Sequence, residues 1–157
     1  RMIPGNFGNP DPGLVRAYRS SPPTVSTFGA PTSSGRDTVQ SGMRDLAGAA
    51  TRFTLSGTVP GAMALLALGF SDQQFMGLQL PIALSSFGFP GMVVRTSIEN
   101  QVLAIAGSQG ISAGYVQVDL PLTTAPTGTA VYAQWHWLDP EDFSMHGSTH
   151  GHAFRAR

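Results

Sequence analysis

Three histidines near the end of the sequence, His146, His150 and His152, stand in the pattern H-x3-H-x-H. Imidazole nitrogens bind zinc and copper, and residues two apart on a strand lie on one face about 6.5 Å from each other. His150 and His152 could therefore share an ion, with His146 returning across a turn and Asp139, Glu141 or Asp142 completing the shell. Against this, glycines interleave the three, and no residue can be named that would orient the rings. The expectation is solvated loop histidines, with no bound metal or cofactor.

A second arrangement concerns nucleophilic chemistry. "GISAG", Gly110 to Gly114, matches the G-x-S-x-G turn that presents a serine nucleophile, and Asp139 and His150 follow it in hydrolase order. That turn works only between a strand and a helix whose N-terminus helps hold the oxyanion. Ser112 is followed instead by the alternating run "YVQVDLPL", so a glycine-rich hairpin loop explains the same letters, and no catalytic residue is assigned. The acidic residues define no pair for glycoside hydrolysis, a reaction set by a carboxylate separation that sequence does not give. "GNFGNPDPG" lacks the lysine and the following helix of a phosphate-binding loop.

The elements that would position these residues are strands. Phe53 and Leu55 alternate with Thr54 and Ser56; Leu80, Ile82 and Leu84 with Gln79, Pro81 and Ala83; Val116, Val118 and Leu120 with Tyr115, Gln117 and Asp119. Period-two alternation marks half-buried strands, and 19 glycines and 12 prolines punctuate the chain too often for long helices. Further strands are expected over Ala62 to Leu68, Met92 to Thr96, Gln101 to Ala106, Ala130 to Leu138 and Ala153 to Ala156. Ala62 to Leu68 is apolar on both faces and belongs at the centre of a sheet. On a strand from Ala130 to Leu138, Val131, Ala133, Trp135 and Trp137 share one face, and Tyr132, Gln134, His136 and Leu138 the other. The tryptophan face is read as core in preference to a platform for stacking sugars. The expectation is an all-β antiparallel sandwich, jelly-roll-like, of about nine strands.

Residues 1–23 differ in kind. Loop composition, "RMIPGNFGNPDPG", leads into a short extended candidate, "LVRAYRS", and then "SPP". We therefore divide the chain into an extended N-terminal arm, residues 1–23, and a sandwich domain, residues 24–157. Such an arm is disordered unless something holds it, and the expectation is that it docks on its own domain or on a neighbour.

Composition narrows the function. Charged residues are 11%, and all nine basic residues are arginine against nine acidic ones, so no basic stripe exists for a nucleic-acid backbone to bind. A near-neutral surface also lacks the self-repulsion that keeps copies apart. With no cysteine, disulfides and thiolate metal sites are excluded. The longest apolar run, Ala62 to Phe70, is nine residues, about half of what a membrane-spanning helix needs. A first residue other than methionine suits a matured, secreted protein or a fragment.

From Thr24 onward, "FTLSGTVPGAMALLALGFSD", "GLQLPIALSSFGFPGMVV", "VDLPL" and "GTAVYAQWHWLDP" follow in order. This ordered set resembles a family of secreted β-rich domains, often C-terminal, in planctomycete and myxobacterial extracellular proteins. The family usually has cysteine after its "PG", where this chain has Met92, and a second near "FGAPTSSG", where Pro31, Thr32 or Ser33 stands. If those two pair in the family, the bridge is absent here, and stability must come from packing or assembly. The family has no established catalytic activity, so the resemblance implies a β-sandwich at an extracellular or cell-surface address.

Together these readings suggest a non-enzymatic extracellular structural protein whose partner is itself. An open sheet edge has unpaired backbone groups, and an extended arm can add a strand to the next subunit, with Leu14, Arg16 and Tyr18 on one side and Val15 and Ala17 on the other. Head-to-tail docking that does not close gives a filament or other homopolymer. The alternative is a carbohydrate-binding or adhesion module for cell-surface polysaccharide, which needs Trp135, Trp137, Tyr132 or Tyr115 exposed in a groove.

Overall fold

A computed structural model describes residues 25–34, 39–46, 50–121 and 126–155. The arm, with Leu14, Val15, Arg16, Ala17 and Tyr18, lies outside the described residues. In chain order the strands are β1 (Ser26–Phe28), β2 (Thr32–Ser34), β3 (Gln40–Asp45), β4 (Thr51–Ser56), β5 (Met63–Gly69), β6 (Gln74–Phe75), β7 (Leu78–Gln79), β8 (Ile82–Ala83), β9 (Val93–Val94), β10 (Asn100–Ile105), β11 (Val116–Leu120), β12 (Ala130–Leu138), β13 (His146–Ser148) and β14 (Gly151–Arg155). All the strand pairs are antiparallel. None of the helical segments among the described residues is long and apolar enough to cross a membrane.

In β4, Thr51, Phe53 and Leu55 are buried while Arg52, Thr54 and Ser56 are half-exposed, the signature of a strand with one face on a core. β4 is the middle strand of a three-stranded sheet, between β11 and β3. The opposing sheet has seven strands, with β12 at its centre. Along one side β12 pairs with β5, and β5 pairs in turn with β10. The other side of β12 is shared by β14 at its start and β13 at its end, and these pair with β1 and β2.

The core forms between the sheets. Phe53, Leu55 and Val116 meet Ala64, Leu66, Val131, Ala133, Trp135, Trp137 and Phe154, all buried, with the Phe53 and Phe154 rings 6.0 Å apart. Val118 is half-buried and packs against the same cluster. Removal of either indole would cost about 3–5 kcal/mol, because so large a cavity cannot collapse fully.

Several elements differ from the sequence expectation. Fourteen strand segments replace about nine: the expected strand over Gln79 to Leu84 divides between β7 and β8, and β1, β2, β3, β6 and β13 form where no strand was expected. Pro81 has no N–H to give a ladder. β7 folds back on β6, and β8 pairs with β9. Leu80 is buried outside the main core, while Ile82 and Leu84 are only half-buried. The expected strand Met92 to Thr96 is reduced to Val93–Val94.

The larger difference is a third layer. Residues 70–98, between β5 and β10, fold across the outer face of the seven-stranded sheet, so β12 is buried on both faces from Ala133 to Trp137. Gly69 permits this close approach. A Cβ there would lie 2.0 Å from the Ser97 carbonyl oxygen. Ser97 Oγ then pins the base of the layer, accepting from the Phe70 and Ser71 N–H groups and donating to Glu99 Oε2 at 2.7 Å.

Candidate functional site

Between β13 and β14 the chain carries one extra residue. Ser148 pairs with His136 and His152 with Ala133, so Thr149, His150 and Gly151 oppose only Gln134 and Trp135. This is a β-bulge, a device that re-aims side chains. Thr149 Oγ1 accepts from Trp135 N–H at 3.1 Å and holds it in place.

The bulge sends the histidines to opposite sides of the sheet. His146 enters the outer layer, where its ring nitrogens bond the Phe143 and Pro90 carbonyls at 2.9 Å each and its edge meets Phe89. His150 and His152 turn toward the three-stranded sheet, their ring centroids 4.6 Å apart. Both reach Ser41 on β3, whose Oγ is 2.9 Å from His152 Nε2 and 3.3 Å from His150 Nε2.

The expectation of solvated loop histidines is therefore corrected. His146 and His152 are buried and His150 is half-buried, because glycine-rich sequence around them forms paired strands and not a loop. The return of His146 to the other two, which a shared ion would have required, does not occur. Burial, together with the neighbouring His150 ring, lowers the basicity of His152 to a pKa of about 4, and burial lowers that of His150. His152 Nδ1 is buried without a partner. No group of three or more histidine, aspartate or glutamate side chains suited to a metal forms among the described residues.

The hydrolase arrangement does not assemble. Ser112 sits exposed in a 3-10 turn and donates to the Gln109 carbonyl, Asp139 accepts from the Glu141 N–H, and His150 is at Ser41. The serine beside His150 is Ser41. Its separation of 109 and 111 residues from the two histidines left no signal in the sequence.

Under the outer layer, buried Gln134 accepts from Arg95 N–H at 2.8 Å and donates to the carbonyls of Val93 and Thr149. His136 Nδ1 is 2.9 Å from Ser148 Oγ, which also accepts from Val93 N–H. Desolvation, and secondarily the Arg95 charge, hold His136 neutral with a pKa of about 4. Arg95 lies against Gly29 and donates to the Ala30 carbonyl, while its Nε and Nη1 are buried without partners. It borders a cavity of about 400 Å³ with Phe28, Asp72 and Pro81.

Trp135 and Trp137 are each 1% exposed and form no surface for sugar. Tyr132 is half-buried with Phe28 edge-on to it at 5.9 Å, and half-buried Tyr115 has its Oη 3.3 Å from the Gln117 side-chain amide. The groove lined by exposed aromatic residues that polysaccharide binding was expected to use does not occur at these positions.

The clearest open surface is at β10. It pairs with β5 alone among the described strands, and Leu103 and Ile105 are each 60% exposed on the outer face, beside Met63. Its sequence, "NQVLAI", contains no charge and no proline, the residues that usually protect an edge. Comparisons with protein-family models, curated proteins and solved structures gave no match.

Proposed function

We propose that this chain is a non-enzymatic structural domain that associates with copies of itself by adding a strand to β10, at the cell surface or outside the cell. The observation that carries the reading is the uncharged β10 edge with Leu103 and Ile105 facing water. A strand laid along it gains main-chain hydrogen bonds and covers apolar side chains at once.

The arm has a suitable pattern. In one register Val15 and Ala17 would lie beside half-buried Val102 and Ala104, and Leu14, Arg16 and Tyr18 beside Gln101, Leu103 and Ile105. Exchange between neighbours then yields a chain of subunits, and a rotation that does not close yields a filament. The resemblance to secreted modules, and a charge-poor surface, support the extracellular placement.

Sedimentation velocity and electron microscopy test the proposal on the full chain, a chain lacking residues 1–23, and Leu103→Glu/Ile105→Glu, whose exposed positions tolerate charge. The full chain should form oligomers or filaments, and both altered chains should sediment as monomers, the full-length variant near 16.5 kDa and the truncated chain below it. A monomeric full chain refutes self-association. Oligomers that survive both changes refute the β10 edge as the acceptor.

A further inference from the structure

The histidine pair carries chemistry that a structural role leaves unused. We infer that His150 and His152, with Ser41 beside them, form a binding site for a borderline divalent transition metal, taking Cu²⁺ more tightly than Zn²⁺. Both Nε2 atoms converge on one oxygen, at 3.3 and 2.9 Å from Ser41 Oγ. On an ion with bonds of about 2.05 Å, adjacent donors stand about 2.9 Å apart at a right angle and about 3.3 Å apart at the tetrahedral angle. Ser41 Oγ thus stands from each of the two Nε2 atoms at a separation that neighbouring ligands of one ion also take.

Three features fit such an ion. The rings are held close, with centroids 4.6 Å apart, so little ordering remains to be done on binding. His152 is buried and His150 half-buried, so the pair is screened from bulk water except on the His150 side. In the free site a single hydroxyl with one proton and two lone pairs serves two imidazoles, so at least one ring donates its Nε2 proton to Ser41. Binding moves that proton to Nδ1 of the same ring, a tautomer change that releases no net proton.

The donor set chooses the metal. Two imidazoles and a neutral oxygen suit Cu²⁺, Ni²⁺ and Zn²⁺ and offer nothing to Ca²⁺ or Mg²⁺, and within that group Cu²⁺ binds tightest. The affinity is limited at His152. Its Nδ1 is buried without a partner, so the proton it must keep there has no acceptor to orient the ring. The site is therefore weaker than a complete four-ligand site. Half-buried His150 provides the approach from solvent.

Isothermal titration of the full, chelator-treated chain with CuCl₂ and ZnCl₂, read alongside histidine ring NMR with ZnCl₂, tests the assignment. One ion per chain should bind, Cu²⁺ more tightly, with the signals of His150 and His152 shifting and those of His136 and His146 unmoved. His150→Gln, at a half-buried position, should keep the native tryptophan fluorescence and weaken both ions at least tenfold. Absence of binding, equal binding by His150→Gln, or shifts centred on His146 would each overturn the site.

Discussion

Replacing Gln134 by methionine keeps the length of the side chain and removes all its hydrogen bonds. Gln134 is fully buried, and its amide serves three backbone groups: Arg95 N–H, Val93 carbonyl and Thr149 carbonyl. Each buried group stripped of a partner costs about 1–3 kcal/mol, and a thioether returns about 1 kcal/mol in apolar burial, so the net loss over three groups is about 2–8 kcal/mol. For a chain of this size that is a fall in Tm of about 4–32 °C. Urea denaturation gives the free energy, and amide hydrogen exchange shows where it is lost. Arg95 N–H should exchange faster together with its neighbours in residues 92–97, because Gln134 is the bond that holds this layer on β12. A loss below about 1 kcal/mol with Arg95 still protected would refute the view that Gln134 fastens the outer layer.

Two further outcomes follow from buried and strained positions. His136 is neutral in the fold, with a pKa of about 4 against an ordinary 6.5, so the unfolded chain takes up a proton in that interval that the fold refuses. Its contribution is retained above pH 6.5 and lost as pH falls toward 4, with a slope of about 1.4 kcal/mol per pH unit. Urea unfolding from pH 7.5 to 4 should show His136→Gln with a slope shallower by about that amount, and equal slopes would contradict it. At the β6–β7 turn, Met76 has φ of 50° and is 86% exposed beside Gly77 at φ of 80°. Met76→Asn suits this left-handed turn and should raise stability by about 0.5–1 kcal/mol, measured by thermal unfolding.

Much of the sandwich is legible in the sequence, because period-two burial is a local property. Phe53 and Leu55, Val116, and the face of Val131, Trp135 and Trp137 each point where their alternation places them, and Ala62 to Leu68, apolar on both faces, overlaps β5 between β10 and β12. What alternation cannot give is what covers the second face of a strand. Gln134 and His136 have polar side chains in positions that usually face water, and they are buried because a distant segment brings backbone groups to them.

The sequence alone determined the all-β architecture, the absence of any disulfide and the inward turn of the tryptophan face, since each follows from residue type or from spacing along one strand. Tertiary structure decided which residues meet. It inserted a bulge at Thr149 to Gly151, sent His146 to one side of the sheet and His150 and His152 to the other, and brought Ser41 to the pair from 109 residues away. Register and sheet packing are long-range quantities, and a one-residue shift in pairing changes the face that a side chain occupies without changing any letter of the sequence.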